Sequence, residues 1–179
     1  MSAAAAFAAW LGASLIVLSE GRRGLAAGLA LVTAGFAVIT LVGGGVEAAA
    51  ALVAGGSVAV VQRLRTGPDE WGVMPPGSTA RLVLAAAVGL MALWISTSVM
   101  TGPGAPLRFA AMSVLGLTVA RVLTPSEPPA VLTALGALAL SVAAAAGAAG
   151  TSPGPALYVS AALVAAGVSW IRVGEVDAA

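Results

Sequence analysis

The 179-residue chain contains no cysteine and no histidine, and all eight of its basic residues are arginine. Without cysteine there are no disulfides, no thiolate metal sites and no sulfur nucleophile. Without histidine there are no imidazole ligands for haem, zinc or copper, and the usual proton shuttle near neutral pH is missing. Without lysine there is no amine for the Schiff base that a retinal-binding bundle needs. Charge of either sign is scarce as well. Only 8% of residues are charged, where a soluble domain carries about 25%.

What fills the chain instead is apolar. Hydrophobic residues make up 60% of it and the mean hydropathy is +1.05, which identifies an integral membrane protein. A spanning helix takes about 20 apolar residues, and the sequence divides into seven such runs separated by turns, an all-α polytopic bundle. The runs cover residues 3–19, 24–42, 46–62, 82–100, 107–123, 130–149 and 156–171. The first starts almost at the initiator methionine, but Arg22 and Arg23 follow it where a secretory signal would have its positive charge in front. It is therefore expected to be a retained helix. Residues 63–81 form the only polar segment longer than a short turn, so residues 1–62 read as a three-helix half, 63–81 as a loop, 82–106 as a connecting helix and 107–179 as a second three-helix half of one membrane domain.

Arginine placement orients this bundle. With seven spans, Arg22, Arg23, Arg63, Arg65, Arg81, Arg121 and Arg172 share one side and Arg108 stands alone on the other. The positive-inside rule then predicts an external N-terminus and a cytoplasmic C-terminus in a cell inner membrane. The arginine-only, alanine-rich usage is that of a GC-rich, bacterial coding sequence. The ten prolines fall in the expected turns, and Gly55 and Gly56 lie in the middle of helix three. Straight helices packed through small residues are the simple expectation, with Gly24 and Gly28 as a small-xxx-small pair on helix two.

Residues 3–65 and 107–172 repeat one order: helix, arginine-bearing turn, helix, short turn, helix, arginine. This three-plus-one-plus-three layout resembles parallel-repeat sugar transporters of the SWEET type, although no Pro-Gln pair occurs in the chain. On LSEGRRGLAAG, which joins helices one and two, and on the GGGVE turn before helix three, the front half resembles the K-type subunit of respiratory complex I. The full length resembles component E of membrane-bound hydrogenases. That resemblance implies a small membrane subunit of an ion-translocating complex. The buried helix glutamates that conduct protons in the K-type family have no counterpart in residues 24–42 here, so the proton-conducting role does not carry over.

The candidate functional residues are few. Glu47 opens helix three, where a carboxylate gains about 0.3–1 kcal/mol from the helix dipole; an ion relay is its alternative role. Arg121, near the inner end of helix five, is expected to snorkel to lipid headgroups, with a substrate counter-charge as the alternative. Ser96, Thr97 and Ser98 either bond back to their own helix or line a small polar cavity. Trp71, Trp94 and Trp170 suit interfacial anchors, and Trp10 sits deeper, against a neighbour. Arg63, Arg65, Asp69, Glu70, Trp71 and Arg81 read first as a solvated, self-compensating loop and otherwise as a docking surface for a partner.

Two functions fit this inventory. One is a noncatalytic subunit of a larger membrane complex, respiratory or ion-translocating, whose surplus alanine and glycine faces pack against other subunits or copies of itself. The other is a small transporter or channel for a neutral or apolar solute. An enzyme, a cofactor, a metal and a nucleic-acid partner are not expected, and the lipid bilayer is.

Overall fold

The computed structural model describes residues 2–43, 45–66, 70–73, 79–98, 104–124, 127–148 and 154–171. Seven α-helices lie among them: α1 (Ser2–Leu18), α2 (Arg22–Val42), α3 (Val46–Arg65), α4 (Thr79–Ser98), α5 (Ala105–Leu123), α6 (Pro128–Ala148) and α7 (Pro155–Ser169). Each starts and stops for a local reason. Gly21, Gly45, Gly104 and Gly154 precede α2, α3, α5 and α7, and proline occupies the first turn of α5 and α7. There its missing N–H would have had no helical partner and its fixed φ already suits a helix. The prolines expected in turns before helices five, six and seven are thus partly absorbed into first turns, and no described helix is interrupted by one. Glu47 in the first turn of α3, and the arginines in the last turns of α3 and α5, complement the helix dipoles.

Four helices, α2, α3, α5 and α6, are long and apolar enough to cross a membrane; α1, α7 and residues 79–95 of α4 form shorter apolar helices. At about 1.5 Å per residue, a 21-residue helix reaches about 32 Å, close to the roughly 30 Å hydrocarbon core.

Close backbone approach sets the packing. Lipid tails are as apolar as leucine, so membrane helices associate through shape and van der Waals contact more than through the hydrophobic effect. Along the α1–α2 seam, a Cβ added at Gly28 would lie 2.7 Å from the Gly12 carbonyl oxygen, and one at Gly35 would lie 2.6 Å from that of Ala5. The two contacts fall seven residues apart on each helix, so the antiparallel pair touches over two turns. The adjacent glycines of α3 point in two directions, Gly55 onto Ala162 of α7 and Gly56 onto Thr33 of α2. Glycine costs a helix interior about 1 kcal/mol relative to alanine; here it lets α3 sit flush between two neighbours without unwinding. The expected Gly24–Gly28 pair is half corrected. Gly28 meets α1, but Gly24 faces Ser19 and the carbonyl of Trp71, because the polar segment folds back over that end of α2.

The helices stand in two rows. α1 packs on α2 and α2 on α3, α5 packs on α6 and α6 on α7, and across the rows α1 lies beside α5, α2 beside α6 and α3 beside α7. α4 lies outside, and among the described residues it touches only α5 and α1. The core between the rows is built from Ile16, Leu29, Phe36, Leu52, Leu117 and Leu140 among many alanines, all essentially inaccessible. Its hydroxyls turn inward on their own helices. Thr33 Oγ1 donates to the Leu29 carbonyl at 2.8 Å, Thr118 to Val114 at 2.7 Å and Ser113 to Phe109 at 2.7 Å. Large apolar side chains face outward, including Val53 and Val61 on α3, Leu90 and Met91 on α4, and Leu163 and Val164 on α7.

Candidate functional site

Three helices, α1, α4 and α5, hold both of the features that stand out chemically, one at each end. At the end where α1 and α5 begin, a cavity of about 640 Å³ opens between them and the second half of α4. Phe7, Trp10, Leu90, Leu93, Pro106 and Phe109 supply its large walls, and alanine and Gly89 fill the gaps. The Phe7 and Trp10 rings lie 5.2 Å apart at a tilt of 40°. Phe7, Leu90 and Leu93 are half or more exposed, at 55%, 67% and 50%, so the cavity opens to the surroundings of the bundle. Trp10, one of the lining residues, brings an indole N–H to the wall. That N–H is buried without a hydrogen-bond partner and lies against Gly89, where any side chain would collide with the ring.

The opposite end is polar. α1 ends at Leu18, and the next residues are tied down by the polar segment: the Glu20 N–H donates to the Gly72 carbonyl at 3.0 Å, and the Arg23 N–H to that of Glu70 at 3.3 Å. An isolated bridge joins Ser19 to Val73. Gly72 has a left-handed φ of 51° and sits against the backbone of Gly21, two conditions that a side chain would violate together. On this platform Glu20 meets two arginines. Its Oε1 accepts from Arg81 Nη1 of α4 at 2.7 Å and lies 3.9 Å from Arg121 Nη2 of α5. Arg121 Nη2 also donates to the Ser19 carbonyl at 3.3 Å. The remaining nitrogens of Arg121, Nε and Nη1, and the Ser19 hydroxyl are buried without a partner.

This geometry corrects two expectations. Arg121 does not snorkel: it is 1% exposed, because α5 runs beside α1 and its last turn meets the end of that helix before any headgroup. Arg63 does not belong to a solvated loop. α3 continues through Arg65, and Arg63 in its last turn is 4% exposed. Of the other residues of that group, Arg65, Glu70 and Trp71 are exposed and Arg81 is engaged with Glu20. Asp69 lies outside the described residues. Glu47 is exposed in the first turn of α3, a helix that does not pack on α1, α4 or α5 among the described residues. Ser96, Thr97 and Ser98 fall in the last turn of α4 and their side chains lie outside the described residues. Trp94 and Trp170 are exposed, as anchors require, and Trp10 packs against a neighbour.

Sequence reasoning passed over Glu20, Ser19 and the cavity. The signal for Glu20 was its place as a lone acid directly after an apolar run and before two arginines. The cavity had none, since its lining is indistinguishable in composition from the rest of the bundle. Compared with protein families, with curated proteins and with solved structures, the chain matches none.

Proposed function

We propose that the protein is a seven-span membrane carrier that holds a neutral, largely apolar solute in the α1, α4 and α5 cavity. The cavity carries this reading. Its size lies within the roughly 300–1,000 Å³ of small-molecule sites, and it is about four times the 150 Å³ apolar cavity that stays dry and takes up benzene. A ligand that fits it has an apolar body, because an ion would lose its hydration there with nothing to replace it. The arginine-rich end faces the cytoplasm on the positive-inside rule, which puts the cavity in the outer half with the N-terminus outside and the C-terminus inside. We place the chain in a bacterial inner membrane on the same rule and on its composition.

Membership of a larger membrane complex is the second reading. Its main argument, surplus small faces, weakens once Gly12, Gly28, Gly35, Gly55 and Gly56 are each seen against a neighbouring helix of the same chain. What favours it is the polar ledge of residues 70–73, where Trp71 is 56% exposed on a backbone already fastened to α1 and α2.

Binding is tested in vesicles with Trp10 as the only tryptophan, made by W71F, W94F and W170F together. A brominated alkane should quench its emission saturably, and A86F, which places a phenyl ring in the cavity, should abolish the saturable part. Quenching that rises linearly with lipid-phase bromoalkane in both proteins would reject the carrier. Gentle extraction and native mass measurement separate the second reading, which requires a particle containing other subunits.

A further inference from the structure

The cavity and the charged node belong to the same three segments. Phe7 and Trp10 are on α1 and Glu20 follows it; Leu90 and Arg81 are on α4; Phe109 and Arg121 are on α5. At one end these helices diverge enough to leave about 640 Å³ between them, and at the other a single carboxylate draws two of them onto the end of the third. We propose that the protein works by alternating access, with Glu20, Arg81 and Arg121 as the gate at the arginine-rich end and α4 as the element that moves.

This inference rests on the carrier reading, and three observations support it. First, the node joins segments distant in sequence, 61 residues apart for Glu20 and Arg81. A brace within one helical hairpin would not constrain α4 against α1. Second, the closed node is under-satisfied. Arg121 is a permanent cation with five N–H donors, yet two of its nitrogens are buried without a partner, beside a buried serine hydroxyl in the same condition. Groups left this way retain their desolvation cost, so opening the node to water hydrates them and offsets the loss of the Glu20 contacts. Closed and open states are thereby brought near in free energy, as a gate requires. Third, among the described residues α4 touches only α5 and α1, while the other six helices form the two rows. α4 can therefore tilt about the rows while displacing little of their core, to which it contributes Ala85 with Val88 packed against it. Such a tilt would part Arg81 from Glu20 at one end and press Leu90 toward Phe7 at the other.

The chain has no cysteine, so single thiols report on each end without further engineering. S19C, read with a membrane-impermeant maleimide applied to the arginine-rich face, should label slowly in the otherwise unchanged chain. It should label at least tenfold faster when E20Q is added. L90C, read from the opposite face, should slow on adding E20Q as the cavity closes. R81Q, which removes the shorter of the two contacts to Glu20 and leaves Arg121 in place, should move both rates in the same directions, and it keeps the test decisive if E20Q misfolds. An S19C rate unchanged by E20Q, or already fast in the parent, overturns the gate. A faster S19C with an unchanged L90C overturns alternating access and leaves a brace. If both thiols respond reciprocally while bromoalkane binding fails, the gate stands and the apolar-solute reading falls.

Discussion

At the scale of single residues, space around the glycines decides what a substitution does. A Cβ on Gly28 would sit 2.7 Å from the Gly12 carbonyl oxygen and 2.8 Å from Ile16 Cγ1. The first contact is backbone and cannot rotate away. G28A should therefore destabilise the protein by about 1–3 kcal/mol, the usual cost of overpacking, seen as a lower Tm in detergent. G167A is the control. A Cβ on Gly167 meets nothing within 4 Å, so this change should be neutral or stabilise the helix by up to about 1 kcal/mol.

The charged residues behave differently, because Arg121 is buried with two of its nitrogens unpartnered. R121M removes a guanidinium that its surroundings satisfy only in part, and replacing buried charge by apolar bulk is often neutral or stabilising. Its Tm should stay within a few degrees of the parent. E20A removes the carboxylate that meets two arginines and should cost more than R121M. An R121M protein that unfolds more readily than E20A would show that the Ser19 carbonyl bond outweighs the unpaired donors. Position along the helix was legible for Arg121, Arg63 and Glu47, since a charge at the end of an apolar run identifies a helix terminus. Their surroundings were not. Whether a terminal arginine points at headgroups or at another chain segment depends on which helix lies beside it, and periodicity in one run carries no information about neighbours.

At the scale of elements, all seven apolar runs appear as helices, and the differences lie at their ends. α3 runs three residues past Gln62 to Arg65, and α5, α6 and α7 begin at Ala105, Pro128 and Pro155, one or two residues before the apolar runs. Each difference has the same origin. Hydropathy ends a run at the first arginine or proline, whereas an α-helix accepts proline in its first turn and favours arginine in its last. The small-residue pattern of α1, α2 and α3 announced close packing but could not say that Gly55 and Gly56 serve different partners. α4 is the most sparsely packed of the seven helices, touching α5 and α1 among the described residues. Its amides should exchange with deuterium well before those of α2, which is enclosed by α1, α3, α5 and α6. Slower exchange in α4 than in α2 would show a rigid α4 and remove the moving part from the gate.

At the scale of the whole molecule, the repeated order of helices is present but its geometry departs from the transporter layout it resembles. A two-fold axis along the membrane normal between two three-helix rows would set α1 beside α7 and α3 beside α5. Among the described residues α1 lies beside α5 and α3 beside α7, so the rows are related by a sideways shift. The contact of Arg121, at the end of α5, with Ser19, just past the end of α1, agrees with this: the two helices run in the same direction. A linear sequence can show that two halves are alike, but the operation relating them depends on how the connecting helix is threaded.

The same packing bears on how many helices cross the membrane. Length alone selects four, and α1 and α7, at 17 and 15 residues, reach only about 26 and 23 Å. Yet α1 follows α2 from Gly12 opposite Gly28 to Ala5 opposite Gly35, and Ala9, Ala13 and Ile16 have no accessible surface. A helix lying flat in the interface could not keep that register with a neighbour that crosses. α7 is held in the same way, with Ala162 on Gly55 near the middle of α3. Short spans beside long ones are accommodated by local thinning of the bilayer at a modest cost per ångström. Seven crossings, the proposed count, would put residue 179 on the arginine-rich side and the expected turn at residues 102–105 on the other. A reporter fused after Ala179 should be active only in the cytoplasm, and one inserted in that turn only outside. If both report the same side, an odd number of crossings between them is ruled out, and the cavity and the node can no longer be assigned to opposite faces of the membrane.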